Sequence, residues 1–127
     1  MKQRLLTAFV LSITVSLPVN AHHAFAAEFD SAKPVKLTGT ITKVEWLNPH
    51  ARFYLKVQGS EWEIELGSPN GLMRLGWTRY SLKPGDSVII QGYMARDGSH
   101  LAAARGINFS DGRRVVVPPA GDGGPER

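Results

Sequence analysis

Four histidines are the side chains of this sequence best suited to chemistry, namely His22, His23, His50 and His100. The chain has no cysteine, so the soft donors that it offers a metal ion are histidine nitrogens and methionine sulfurs. Nitrogen-rich tetragonal sites suit Cu(II). The histidines therefore predict a transition-metal site, with copper as the first candidate cofactor.

The first twenty-one residues have the three-part layout of a secretory signal peptide. Lys2 and Arg4 give a positive start, and Leu5–Leu17 is an apolar run of 13 residues without a charge. A transmembrane helix needs about 20 such residues, so the run is too short to span a membrane. We predict export to the periplasm, with cleavage after Ala21 and a mature chain that begins at His22.

A histidine at the mature N-terminus can bind one metal ion through both its α-amino group and its imidazole. The amine has a pKa of about 8, so a metal displaces its proton at little cost. A third nitrogen, from His50 or His100, would complete a T-shaped set that favours copper. In its terminus alone, the chain resembles the histidine brace of copper-dependent polysaccharide oxygenases and periplasmic copper carriers.

Each histidine also has an interpretation without a metal. The adjacent His22 and His23 can be a flexible terminus that binds metal adventitiously. A later cut, at Ala24-Phe25-Ala26, would remove both of them. His50 follows a proline and can cap a turn, and His100 can be an exposed hairpin residue.

The net charge gives little support to nucleic-acid binding. The whole chain carries a formal net charge of +4, and removal of Lys2 and Arg4 with the signal peptide reduces it to +2. Such a charge makes a weak field on a domain of this size. We also find no Gly-x-Ser-x-Gly elbow and no phosphate-binding glycine loop, so the sequence offers no catalytic residues of those classes.

Strands dominate the pattern after Lys36, because apolar residues alternate with polar ones. The first predicted strand, Leu37–Trp46, changes phase after Ile41, which is typical of a bulge. Ala51–Val57 and Trp62–Leu66 form a predicted hairpin around a Gly59-Ser60 turn of type II′. That turn pairs three apolar residues with three others on one face, namely Val57 with Trp62, Leu55 with Ile64 and Phe53 with Leu66.

The rest of the chain completes a small barrel. Ser68 and Pro69 predict the start of a short helix, and strands follow around Val88–Met94 and Ala103–Phe109, with an edge at Val115–Val117. We expect an all-β fold, a five-stranded Greek-key barrel like the OB-fold, with one short helix between strands 3 and 4. Another small β-barrel or a sandwich is the alternative. The predicted divisions are a signal peptide (1–21), an N-terminal extension (22–36), the OB-like domain (37–117) and a disordered tail (118–127).

This fold would position the candidate residues. The loops that hold His50 and His100 flank one ligand face in an OB-fold, so the two imidazoles are expected to converge. Glu61, Glu63 and Glu65 alternate on one strand and are interpreted as a solvated, salt-bridged face rather than as acid–base residues. The tryptophans are assigned to the core, and Tyr54 and Tyr93 are expected to point outward.

Several short motifs resemble those of an exported bacterial family described only as a domain of unknown function, number 6152. They are His22-His23-Ala24-Phe25, Asn48-Pro49-His50, Ser68-Pro69-Asn70, Gly76-Trp77-Thr78-Arg79, Leu82-Lys83-Pro84-Gly85-Asp86 and Ala95-Arg96-Asp97-Gly98-Ser99. The resemblance covers nearly all of the mature chain. It implies export and a small β-domain, and it implies no activity.

Together, these features predict a small exported protein that binds a transition metal and has no enzymatic activity. The predicted partners are that metal ion or another periplasmic protein. Two alternatives stay open. One is a copper-dependent oxidative enzyme that uses the same histidines, and the other is a module that binds oligosaccharide or peptide on the barrel face.

Overall fold

The computed structural model describes residues 25–117. A helical turn at residues 25–28 precedes six strands and one short helix. These are β1 (Phe29–Glu45), β2 (Arg52–Val57), β3 (Ser60–Glu65), α1 (Pro69–Arg74), β4 (Ser87–Ala95), β5 (Leu101–Phe109) and β6 (Arg114–Val116). The predicted signal peptide, His22, His23 and the predicted tail lie outside the described residues. Within the described part of the chain, no helix has the length and apolar character needed to cross a membrane.

The strands form one sheet in the order β3-β2-β1-β4-β5-β6, and an additional parallel pairing joins β3 to β5. This pairing closes the first five strands into a ring, which makes the sheet barrel-like. Strand β4 returns beside β1 after the β1-β2-β3 meander, which is the Greek-key order. The predicted fold class is confirmed, including the helix between the third and fourth strands. The predicted edge at the end of the chain is the short strand β6, which pairs with β5.

Strand β1 is the longest strand, with 17 residues, and it pairs with β2 on one side and β4 on the other. It begins at Phe29, eight residues before the predicted start at Leu37. Its pairing with β2 shifts between Ile41 and Lys43, which confirms the predicted phase change. At Gly39 a Cβ atom would overlap the carbonyl oxygen of Lys56 on β2. Glycine therefore permits the close approach of β1 and β2 at this position.

The β2–β3 hairpin forms as predicted, but its predicted register is wrong by two residues. Val57 pairs with Ser60 and Leu55 pairs with Trp62, so the turn residues are Gln58 and Gly59. Both have positive φ angles, 47° for Gln58 and 85° for Gly59, as a type I′ turn requires. A shift of two residues keeps every side chain on the same face, so the apolar face still points to the core.

Helix α1 starts as the sequence predicts. The Ser68 hydroxyl oxygen accepts a hydrogen bond from the Gly71 N–H at 3.1 Å, and Pro69 occupies the first turn. Leu72 is buried, and its carbonyl oxygen accepts a hydrogen bond from the Trp77 N–H at 3.1 Å. Trp77 therefore follows the helix directly into the core, where Trp62 is also buried.

Candidate functional site

The site is centred on His50, in the loop between β1 and β2. This loop is fixed beside the end of β3 by two backbone hydrogen bonds of 2.9 Å, from Ala51 N–H to Gly67 oxygen and from Leu66 N–H to Ala51 oxygen. The His50 side chain is 30% exposed, and its Nδ1 atom lies 2.5 Å from Oε1 of Glu65. At this distance the imidazole N–H donates a hydrogen bond to the carboxylate.

Among residues 25–117, Glu65 is the charged residue that is buried, with 7% of its surface exposed. Burial raises the pKa of its carboxyl above the usual range, and the negative charge of Glu28 acts in the same direction. His50 and Arg52 act in the opposite direction and lower that pKa. The carboxylate is thus shielded from water and hydrogen-bonded to one imidazole. Such a partner is needed because burying an unpaired charge is energetically costly.

The expectation of a solvated, salt-bridged glutamate face is wrong at Glu65 in one respect, since this residue is paired with His50 but buried. Glu61 is exposed, and Glu63 forms an ion pair with Arg52, with 2.5 Å between Oε1 and the guanidinium NH1 nitrogen. Glu65 differs because the loop that carries His50 covers it and because it pairs with the small residue Ala103 on β5. Alternation along β3 places all three glutamates on one face, but it contains no signal for what covers that face.

His100 approaches the other end of β3. Its imidazole stacks on the Trp62 indole, with 4.5 Å between ring centroids and 12° between planes. Its carbonyl oxygen accepts a hydrogen bond of 2.9 Å from the Glu63 N–H. The structure therefore brings both loops to β3, but it does not bring the two imidazoles together as expected. The two imidazoles contact residues three positions apart, Glu65 and Trp62, which lie on opposite faces of the strand.

The predicted metal site stays a prediction, since His22 and His23 lie outside the described residues. Within residues 25–117, no group of three or more histidine, aspartate or glutamate side chains is arranged to hold a metal ion. His50 and His100 each have a protein partner of their own.

The N-terminal turn is anchored close to Glu65. Arg96 donates two hydrogen bonds to it, from its Nε to the Ala26 oxygen at 2.5 Å and from its backbone N–H to the Glu28 oxygen at 2.8 Å. The Phe25 and Phe29 rings pack 5.2 Å apart, and Phe29 is buried. These contacts hold the turn in place, and the charge of its Glu28 raises the pKa of the Glu65 carboxyl.

These features define a small barrel-like β-domain with a buried His–Glu pair at one end of β3. The model of a family of unknown function (DUF6152) matches residues 10–104. The chain belongs to this family. No curated protein matches the chain.

A solved structure shares the fold at low sequence identity. The ZRD-deleted mutant of TiaS in complex with agmatine has a TM-score of 0.53 and 17% identity, over 72% of this chain and 28% of that one. A complex of TiaS with tRNA and ATP has a TM-score of 0.48 and 16% identity, over 63% of this chain and 18% of that one. The chain thus spans less than a third of these proteins, and at this identity the likeness concerns the fold alone.

Proposed function

We propose that this protein is a small exported periplasmic binding protein that takes a transition metal, copper in the first place, through His50 and its N-terminal histidines. One observation carries the proposal: the 2.5 Å hydrogen bond between His50 Nδ1 and the buried carboxylate of Glu65. His22 and His23 supply the other nitrogens in this proposal, and His100 is an alternative donor.

The His50–Glu65 pair has the arrangement that supports a metal-binding histidine. Such histidines commonly donate the N–H of one ring nitrogen to a carboxylate, which fixes the tautomer and the ring orientation and makes the other nitrogen a better donor. Here Nδ1 donates to Glu65, so Nε2 is the ring nitrogen left to bind a metal ion. Because Glu65 is buried, its carboxylate has little freedom to turn away from His50.

The N-terminus supplies the remaining donors in this proposal. After cleavage behind Ala21, His22 would offer an α-amino group and an imidazole, three residues before Phe25. Three residues of extended chain span at most about 11 Å. These three residues lead into the anchored turn at residues 25–28. Glu28 of that turn is near enough to Glu65 for its charge to raise the pKa of the Glu65 carboxyl. The carboxylates of Glu28 and Glu65 also favour a cation over an anion there.

The proposal is tested by titrating the mature protein with Cu(II), followed by calorimetry and electron paramagnetic resonance. The protein is purified from the periplasm of its host, and its mass is measured first, with a start at His22 expected. A start at Ala27 would remove two proposed ligands and contradict the proposal. We expect nitrogen hyperfine coupling in the copper spectrum of the wild-type protein.

Variants assign the ligands in the same assay. His50→Ala is expected to weaken copper binding by about 100-fold or more, and Glu65→Gln by about 10-fold to 100-fold, because it alters the carboxylate that orients the imidazole. His100→Ala tests the alternative donor in the other loop, and it is expected to leave copper binding at the wild-type level if His50 is the ligand. Equal, weak binding in the wild-type protein and in all three variants would contradict the metal site.

A further inference from the structure

A groove separate from the His50–Glu65 pair crosses the outer face of the sheet, where β1, β4 and β5 lie side by side. Its volume is about 530 Å³, and its lining includes Pro34, Lys36, Gln91, Tyr93 and Arg105. Small-molecule sites have volumes of about 300–1,000 Å³ and combine apolar walls with a few polar groups. The groove has the size and the mixed lining of such a site.

A β-bulge places Arg105 in this groove. Gln91 pairs with Gly106 and Gly92 pairs with Ala104, so Arg105 is the extra residue of β5. A Cβ atom on Gly92 would overlap the carbonyl oxygen of Ala103, so the strands approach closely beside the bulge only because position 92 is glycine. Bulges are frequent next to functional sites because they re-aim a side chain.

Two aromatic rings hold the Arg105 guanidinium in position. Its central carbon lies 4.6 Å from the centroid of Phe25 and 5.7 Å from the centroid of Tyr93. The two rings contact each other edge to face, with 6.5 Å between centroids. Each ring face attracts the guanidinium electrostatically. The guanidinium is thereby ordered before any ligand arrives, which reduces the entropy cost of binding.

The charges of the groove select the ligand class. Lys36 and Arg105 are the ionised side chains of the lining, and its other members are neutral. Pro34 and the Tyr93 ring offer apolar surface in the same lining. We infer that the groove binds a small organic anion, with a carboxylate at Arg105 and Lys36 and an apolar body against Tyr93 and Pro34. Arginine favours this head group because its planar fork matches a carboxylate.

Benzoate is a suitable probe, and benzamide is its neutral counterpart of the same shape. Each is titrated into ¹⁵N-labelled full-length protein in buffer passed over a chelating resin, so that neither a metal nor a soluble carboxylate chelator takes part. Benzoate is expected to shift the amide signals of residues 35–36, 91–93 and 105, and benzamide is expected to leave them in place. Equal shifts from both probes, or shifts confined to other residues, would overturn the inference.

A charge reversal in the groove provides the second test. Lys36→Glu is expected to weaken benzoate binding about tenfold, because it exchanges an attraction for a repulsion at short range. The matched control is Lys56→Glu, which reverses another exposed lysine, one on β2 opposite Glu61. The control is expected to bind benzoate within about twofold of wild type. Equal effects of the two variants would show that the groove is not the site. Circular dichroism confirms that both variants fold.

Discussion

At the scale of single residues, burial rather than residue type separates the functional candidates from the rest of the surface. Glu61, Glu63 and Glu65 have the same side chain and the same spacing, yet only Glu65 is buried and bonded to His50. The residues that bury it, in the β1–β2 loop and on β5, are remote from it in sequence. The sequence predicts the position of the histidines in their loops and misses the carboxylate that orients one of them.

The exposed turn between β4 and β5 allows a pH test at this scale. Hydrogen bonds from the hydroxyl and the backbone N–H of Ser99 lower the pKa of the Asp97 carboxyl below its usual range. Since the folded state prefers the ionised form, Asp97 stabilises the fold above the unfolded pKa of about 3.9, and this effect is lost as the pH falls through the lowered pKa.

Asp97→Asn is therefore expected to lower the free energy of unfolding near neutral pH and to have almost no effect at strongly acidic pH. Urea unfolding of the wild-type protein and the variant, at several pH values, measures the difference. Ser99→Ala is the control, because it removes the hydroxyl donor that contributes most to the lowered pKa. In that background the pH dependence is expected to flatten. A difference that stays constant with pH would contradict the prediction.

At the scale of elements, the β2–β3 hairpin shows what alternation can decide and what it cannot. The predicted register and the observed one differ by two residues, and both place Leu55, Trp62 and Ile64 on the core face. Only the turn distinguishes them, and Gly59 is compatible with either position in a two-residue turn. The Gln58 φ angle of 47° is the feature that selects the observed turn, and glutamine gives no sign of it in sequence.

Substitution at Gln58 tests this turn directly. Asparagine adopts positive φ angles more readily than other residues with side chains, so Gln58→Asn is expected to raise the free energy of unfolding by about 0.5 kcal/mol. Valine is branched at Cβ and disfavours that conformation, so Gln58→Val is expected to lower the free energy by about 1 kcal/mol. Thermal and urea unfolding measure both changes. The opposite order would show that the turn is not of type I′.

At the scale of the whole molecule, contacts between distant segments close the ring and place the candidate sites. Three residues of β3 pair with three of β5, from Glu63 with Leu101 to Glu65 with Ala103. Along β5, Arg105 follows two residues after Ala103, at about 7 Å, so the His50–Glu65 pair and the groove lie near each other. The N-terminal turn reaches both, with Phe25 on Arg105 and Glu28 near Glu65. Local patterns predicted the strands and their order, but this closure depends on no single pattern in the sequence.

Strands β4 and β5 must approach closely for the ring to form. Gly92 on β4 and Gly106 on β5, which belong to neighbouring residue pairs, test this approach. A Cβ atom at Gly92 would overlap the Ala103 carbonyl oxygen, whereas a Cβ atom at Gly106 would meet its nearest atoms at ordinary distances of 3.8 Å and 3.9 Å. Gly92→Ala must therefore separate the strands, and it is expected to lower the free energy of unfolding by about 3 kcal/mol or more. Gly106→Ala is the matched control, with an expected change of about 1 kcal/mol or less. Urea unfolding compares the two variants. Equal losses would mean that the tight β4–β5 contact does not control the stability of the ring.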